Sequence, residues 1–406
     1  MAPTSPFLLA LLILGAAGSI GYAIFRLRQW WTRVAAATLG VVLAMTSGVV
    51  IVNDFYGYYQ TWSSLGVDFL GRTPELGRTA PAHHSATVVQ SGGVVQLTLS
   101  GTVSHISRVG YVYLPPQYYL PAYRTDRFPV VELLHGTPGI PANWLVQLRV
   151  PQLMDKLIAA HEIGPMVLVM PAINPVKGRR QECTDGPQGL DDTYLSTDVP
   201  AIIRARYRVS TDPAEWGLLG YSSGGYCAAN LALRHRASFG AAAILDGYFR
   251  AKDGPAGTAL GGNPALEDAN SPLTIARSLP ADTAPMPAFW LSVGTASRAN
   301  LAFDKAFVSA LERTVRVTSI LQPGGRHDFY TFAHEIPPSL IWSWPQLAPP
   351  ALQRAFPLTA SPPVINLAPI QEPRTPVATK CPTASSHPTT TKRATTPPAR
   401  LTTACS

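Results

Sequence analysis

A serine lies at the centre of a short motif, GYSSG at residues 220–224, which matches the pattern G-x-S-x-G with Ser222 as its serine. The residues from Trp216 onward are apolar and those after the motif are small, so the motif joins a buried strand to a helix. Such a turn is so tight that only glycine fits beside the serine, whose hydroxyl is exposed as a nucleophile. Because only three positions are fixed, an ordinary tight turn is the competing interpretation.

A serine hydroxyl becomes an effective nucleophile when a histidine takes its proton and a carboxylate holds that histidine in the correct tautomer. His327 follows the last predicted strand, which ends at Leu321, within the sequence PGGRHDF. The two glycines allow a loop to bring the histidine over the sheet. We therefore expect His327 to be the general base, and the alternative is a histidine that only fills surface or core.

Two backbone N–H groups should bind the negative oxygen of a tetrahedral intermediate, one from the residue after the nucleophile and one from the loop after the third strand. Ser223 supplies the first group. The loop is HGTPG at residues 135–139, where Pro138 has no N–H. Thr137 is therefore the expected second donor and Gly136 the next candidate, whereas an ordinary Gly-Pro turn would give neither a role.

Strands alternate with helical patterns through the middle of the chain, which predicts an α/β fold with a mostly parallel sheet and helices on both faces. Two antiparallel strands come first, between Val94 and Leu114. Further strands are predicted at 128–134, 165–170, 216–219, 240–245, 288–293 and 314–321, and helices at 150–163, 198–207, from 225 and at 300–313.

Two uncharged apolar runs, residues 7–25 and 34–52, precede this domain, and each is long enough to cross a bilayer core as a helix. The first run lacks the basic start and the small-residue cleavage site of a signal peptide. Three arginines and two tryptophans lie between the runs, and basic loops stay in the cytoplasm. The sequence therefore predicts a multi-pass plasma-membrane protein, anchored in the lipid bilayer, whose catalytic domain is extracytoplasmic.

Composition divides the chain into a membrane anchor at 1–53, a membrane-proximal connector at 54–90, a catalytic domain at 91–349 and a tail at 350–406. The tail is rich in Pro, Thr, Ala and Ser. Because it has too little apolar surface to fold alone, we expect it to be disordered.

The formal charge of +8 comes mainly from the loop between the apolar runs and from the tail, which leaves about +1 for the rest of the chain. So small a charge offers no basic face for nucleic acid. No Cys or His spacing resembles a zinc site, and we expect neither a metal nor another cofactor.

The four cysteines are Cys183, Cys227, Cys381 and Cys405. An even count permits disulfides in an oxidising compartment. We expect Cys183 to pair with Cys227, and two separate buried thiols are the alternative. The pairing of Cys381 and Cys405 stays open.

Five segments between residues 94 and 346 form a set: YVYLPPQY, FPVVELLHGTPG, DVPAIIRARYRV, GYSSGGYCAA and GGRHDFYTF. Together they resemble the esterase D-type α/β-hydrolases, the group that includes S-formylglutathione hydrolases, enterochelin esterases and antigen 85 mycolyltransferases. The resemblance implies an α/β-hydrolase fold and a Ser-His-acid triad that forms an acyl-enzyme.

The acid of this triad departs from the family pattern. Such enzymes usually place it just after the strand represented here by FWLSVG, but the next residues, 295–298, are Thr, Ala, Ser and Arg. Asp246, at the end of the preceding strand, is the preferred candidate because that strand end lies beside the usual position. Asp304, in the following helix, is the second candidate, and an impaired triad is the third possibility.

Three functions are consistent with these features. The first is a serine esterase that hydrolyses an acyl ester, either a small molecule or an envelope lipid. The second is an acyltransferase of the mycolyltransferase type, in which a sugar or lipid hydroxyl replaces water. The third is a hydrolase-like binding domain without activity, which the missing acid would explain.

Overall fold

A computed structural model describes residues 2–26, 28–59, 62, 65, 91–174 and 182–358 of the chain. Its first two elements are the helices α1 (Pro6–Phe25) and α2 (Trp30–Tyr56). Both are long and apolar enough to cross a membrane, and they pack against each other as a hairpin. Helix α2 continues four residues past the predicted apolar run, because backbone hydrogen bonds do not require apolar side chains. It ends at Gly57, whose left-handed conformation (φ +61°) stops the helix.

Among the described residues, eight strands form one sheet in the order β1-β2-β4-β3-β7-β8-β9-β10. The first hairpin is antiparallel, β2 and β4 are antiparallel, and the remaining neighbours are parallel, as the alternating pattern predicts. The strands are β1 (Gly93–Ser100), β2 (Ser107–Leu114), β3 (Val130–Leu134), β4 (Val167–Met170), the two-residue pair β5 (Asp185–Gly186) and β6 (Gly189–Leu190), β7 (Trp216–Tyr221), β8 (Ala241–Leu245), β9 (Ala288–Gly294) and β10 (Val317–Gln322).

The helices that follow the anchor connect these strands and cover the sheet. The longest of them, α12 (Phe329–Leu347), packs against β7, β8 and β9, and α7 (Ser223–Arg234) packs against β7 and β8. Their bounds are α3 (Asn143–Val146), α4 (Val150–Ala159), α5 (Asp191–Thr193), α6 (Val199–Arg206), α7 (Ser223–Arg234), α8 (Pro255–Ala259), α9 (Pro264–Ala269), α10 (Pro272–Ser278), α11 (Arg298–Leu311), α12 (Phe329–Leu347) and α13 (Pro350–Ala355). A π-helical turn, Tyr194–Asp198, joins α5 to α6.

Strand β7 lies in the middle of the sheet, and all six of its residues are buried. It runs parallel to β3 on one side and to β8 on the other. Because parallel strands end at the same edge of a sheet, the loops after β3, β7, β8 and β10 open at one edge. The candidate site residues follow these four strands.

The folded region extends beyond the predicted boundary at residue 349. Helix α13 follows it, and its Leu352 and the nearby Phe356 are both buried in the core. Two apolar side chains in a Pro-rich segment are enough to hold this one extra helix against the domain. The predicted disordered tail from 350 therefore begins too early. The rest of it, with Cys381 and Cys405, lies outside the described residues, as does most of the predicted connector at 54–90.

Candidate active site

Ser222 lies in the turn between β7 and α7 with a strained backbone conformation (φ +57°, ψ −123°). Its N–H donates to the carbonyl of Leu245 at 2.9 Å. A Cβ on Gly224 would lie 1.9 Å from the carbonyl oxygen of Leu134, and one on Gly220 would lie 2.0 Å from the oxygen of Gly224. Both glycines are therefore required by close backbone approach, which is the physical reason for the G-x-S-x-G pattern.

The loop after β10 brings His327 to this serine. The distance from Ser222 Oγ to His327 Nε2 is 2.8 Å, and the distance from His327 Nδ1 to Asp246 Oδ2 is 2.9 Å. The imidazole is about 40% exposed, whereas the carboxylate of Asp246 is fully buried. With the proton on Nδ1 donated to Asp246, Nε2 is free to accept from the serine hydroxyl. This is the geometry of a nucleophile, a base and an orienting acid.

Asp246 is held by the segment after β9, residues 295–300, where the acid was expected. The Ser297 hydroxyl donates to Asp246 Oδ1 at 3.1 Å, and the Asn300 side-chain amide donates to the Asp246 carbonyl at 2.9 Å. The same amide nitrogen lies 3.1 Å from His327 Nδ1. Ser297, which follows β9, thus orients a carboxylate from the neighbouring strand β8. Neither Ser297 nor Asn300 was predicted from the sequence.

The second candidate acid, Asp304, is buried in α11, and its carboxylate accepts a hydrogen bond from the Ser319 hydroxyl at 3.5 Å. Burial, and then the negative charge of Asp246, raise the pKa of Asp304 to about 7. Burial and the charge of Asp246 also raise the pKa of the fully buried Glu335, in α12, well above its ordinary value. Of the two candidates, Asp246 is the one that hydrogen-bonds His327, whereas Asp304 accepts its hydrogen bond from Ser319.

The loop after β3 passes directly over the nucleophile, since a Cβ on Gly136 would lie 3.2 Å from the Cβ of Ser222. His135 fixes this loop. Burial lowers the pKa of His135 to about 4, so its ring is neutral, with Nδ1 donating to the Gly136 carbonyl at 2.8 Å and Nε2 accepting from Ile173 N–H at 3.2 Å. The Ser223 hydroxyl donates to Thr137 Oγ1 at 3.0 Å. The two residues expected to supply the oxyanion hole are therefore in contact.

A buried glutamate that sequence reasoning missed completes this contact. Glu182 donates its N–H to Asn174 Oδ1 at 3.1 Å, and the Asn174 amide donates to Thr137 Oγ1 at 2.7 Å. The Tyr248 hydroxyl donates to the Glu182 carboxyl. Burial raises the pKa of Glu182, although hydrogen bonds from Tyr248, Thr137 and Ser223 oppose this rise. Glu182 thus lies beside the two residues expected to supply the oxyanion donors and connects them to Tyr248.

Cys183, the residue after this glutamate, forms a disulfide with Cys227 of α7. The predicted pairing is therefore present, and it ties the segment after β4 to the helix that begins at the nucleophile. Within the described residues, no group of three or more His, Cys, Asp or Glu side chains is arranged to hold a metal ion.

A family model described as "Putative esterase" matches residues 106–342. An uncharacterized protein of Corynebacterium glutamicum is 31% identical over 243 residues, which cover 55% of this chain and 54% of the relative. The chain thus aligns with about half the length of this curated relative.

Two solved structures share the architecture. A ferulic acid esterase superposes with a TM-score of 0.53 and 22% identity, covering 63% of this chain and 99% of that one. An S-formylglutathione hydrolase from Agrobacterium tumefaciens gives a TM-score of 0.53 and 18% identity, covering 66% of this chain and 98% of that one. At these identities the likeness establishes the fold, and it confirms the predicted α/β-hydrolase fold.

Proposed function

We propose, from the premise that the chain belongs to the esterase family and carries an esterase domain at residues 106–342, that the whole protein is a membrane-anchored serine esterase. The observation that carries the proposal is the continuous hydrogen-bonded chain from Ser222 through His327 to the buried Asp246. A binding domain without activity would need no such chain. The substrate of the proposed esterase would be an acyl ester, either a small molecule or an envelope lipid.

In the proposed reaction, Ser222 Oγ attacks the ester carbonyl while its proton passes to His327 Nε2. Asp246 stabilises the resulting imidazolium, and the N–H groups of Ser223 and Thr137 bind the oxyanion. Collapse of the intermediate breaks the ester C–O bond, and the alcohol leaves with the proton from His327. Water then attacks the acyl-enzyme with His327 again as base, which releases the carboxylic acid and restores the serine.

The location of the enzyme is part of the proposal. Helices α1 and α2 are apolar enough to span a bilayer, and the arginines between them favour a cytoplasmic loop. Both outer ends, and the domain that follows, would then lie outside the plasma membrane. The disulfide between Cys183 and Cys227 supports this side, because disulfides persist in oxidising compartments.

The test is labelling of the full-length protein, in native membranes, with a fluorophosphonate probe that reacts with activated serines. Wild type should be labelled, Ser222→Ala should not, and the exposed Ser278→Ala in α10 serves as a matched control that keeps its labelling. Failure of folded wild type to react would refute an activated serine.

Product analysis then separates hydrolysis from transfer. Free carboxylic acid should form from an ester substrate when glycerol or trehalose is added in excess. A product acylated on the added hydroxyl compound would identify an acyltransferase instead.

A further inference from the structure

The outer end of the membrane anchor is in direct contact with the loop that carries the candidate base. The guanidinium of Arg326 lies over the ring of Phe55, at 5.7 Å from its centroid. A Cβ on Gly57 would lie 2.5 Å from the ring of Tyr330. The residues on both sides of His327 along the chain therefore touch the last turn of α2 and its cap.

Tyr58 extends this contact to the second loop of the site. Its ring packs edge-on against Phe329, with centroids 5.2 Å apart, and its hydroxyl accepts a hydrogen bond from the Asn143 amide at 3.3 Å. Asn143 also accepts the N–H of Ile140 at 2.7 Å, so it closes the loop that begins at the expected oxyanion donors. Tyr58, two residues past the end of α2, thus bridges the loop that carries His327 and the oxyanion loop, residues 135–143.

Chain connectivity does not force this contact. More than thirty residues separate Tyr59 from the first strand of the domain, so the sequence alone would allow the domain to lie elsewhere. The contact is made by specific aromatic and polar groups at two separate loops.

The depth of these contacts follows from the helix geometry. Helix α2 has 27 residues and is therefore about 40 Å long, close to the roughly 40–45 Å thickness of a bilayer with its headgroups. The apolar run ends at Val52, and Phe55 lies about 5 Å further along the axis. The next residue, Tyr56, is also exposed, and tyrosines are enriched at the interface between lipid tails and water. With α2 spanning the bilayer, as proposed above, the loop carrying His327 would lie at the headgroup layer, where the ester groups of membrane lipids are found.

We infer that the substrate is an acyl ester of a lipid in the same bilayer, reached from the membrane surface; this rests on the proposed esterase function. The docking contacts place the catalytic loops at the level of a lipid ester, and the exposed apolar side chain of Ile140 projects from the oxyanion loop. Ser222 takes the acyl group, the lipid alcohol leaves with the proton from His327, and water releases the fatty acid. A water-soluble ester would need no such placement.

The test uses the full-length protein in nanodiscs that contain dioleoylglycerol and dioleoyl phosphatidylglycerol with labelled acyl chains. Release of labelled fatty acid is measured beside hydrolysis of p-nitrophenyl acetate, which reaches the site from water. Wild type should release fatty acid at least tenfold faster from the nanodiscs in which it is embedded than from added nanodiscs that contain the same lipids and no enzyme.

The docking variant Tyr58→Ala should lower the ratio of lipid-ester to soluble-ester hydrolysis at least tenfold. The control Tyr22→Ala, an exposed tyrosine in α1 remote from the site, should keep the ratio. If Tyr58→Ala lowers both rates and leaves their ratio unchanged, it has only damaged the catalytic loops. This outcome would contradict the inference.

The two proposals fail in different ways. If p-nitrophenyl acetate is hydrolysed but no fatty acid is released from either lipid, the lipid substrate is refuted and the esterase stands. Equal release from the enzyme's own discs and from added discs also refutes it. If neither substrate is hydrolysed, the esterase function itself is wrong.

Discussion

Replacing Asp246 by asparagine tests which carboxyl orients the candidate base. In the structure Oδ2 of Asp246 faces His327 Nδ1 at 2.9 Å, and Oδ1 accepts the Ser297 hydroxyl at 3.1 Å. Asparagine has a single side-chain oxygen. The hydrogen bond from the Ser297 hydroxyl favours the orientation that places this oxygen at the Oδ1 position. The amide NH₂ would then face His327 Nδ1 and stabilise the tautomer protonated on Nε2. That tautomer cannot accept the proton of Ser222.

The expected loss combines this wrong tautomer with removal of the charge that stabilises the imidazolium. Together they should lower kcat about 10⁴-fold, which corresponds to roughly 5 kcal/mol in the activation free energy. The protein should stay folded, because asparagine has nearly the same shape and the Asn300 contact uses the main-chain carbonyl, which the substitution leaves in place.

The assay is hydrolysis of p-nitrophenyl acetate by the full-length protein in detergent at neutral pH, with unfolding measured in parallel. Asp304→Asn is the matched control, because Asp304 is also buried but bonds to Ser319, and it should keep kcat within about threefold. The reasoning is refuted if Asp246→Asn retains more than a tenth of the wild-type kcat, or if Asp304→Asn loses as much.

Four further predictions follow from the same contacts. Ser297→Ala should lower kcat about tenfold, measured with the same ester, because one hydrogen bond to the orienting carboxylate is lost. Glu182→Ala should lower kcat about 10- to 100-fold with little change in KM. Glu182→Gln, which can still accept the hydrogen bond from Tyr248, should keep most of the wild-type kcat. The variant Cys183→Ala/Cys227→Ala should lose about 4 kcal/mol of unfolding free energy in chemical denaturation, and wild type should lose as much on reduction. The pKa of Asp304, about 7 in the folded state against 3.8 ordinarily, means that its stabilising contribution is complete below pH 4 and is lost as the pH rises towards 7. Between pH 5 and pH 8, the unfolding free energy of Asp304→Asn should therefore rise relative to that of wild type by about 3 kcal/mol, measured by thermal unfolding.

The features that could be predicted from the sequence depend on neighbouring residues. The turn at Ser222 needs Gly220 and Gly224 within two positions, and the requirement can be stated without knowing the rest of the fold. The place of His327 follows from its position after the last strand. The order of strands and helices was likewise visible, because a buried parallel strand is a continuous apolar run.

The features that could not be predicted depend on which residues meet across the fold. Asp246 and Asp304 differ in role because β8 and β9 are neighbours, so the end of β8 opens onto the turn that contains Ser297. Glu182 is held beside the oxyanion loop by the adjacent Cys183, which is bonded to Cys227 of α7. The contact of Tyr58 with Asn143 joins positions 85 residues apart along the chain.

The disulfide between Cys183 and Cys227 also has a consequence for biogenesis. Under the proposed extracytoplasmic location, a domain that folded in the cytosol before export would lack this bond and the stability that it supplies, because thiols stay reduced in the cytosol. Quality-control proteases remove less stable copies preferentially. The redox state of these two cysteines in cells therefore records on which side of the membrane each molecule folded, and copies without the bond should have the shorter lifetime.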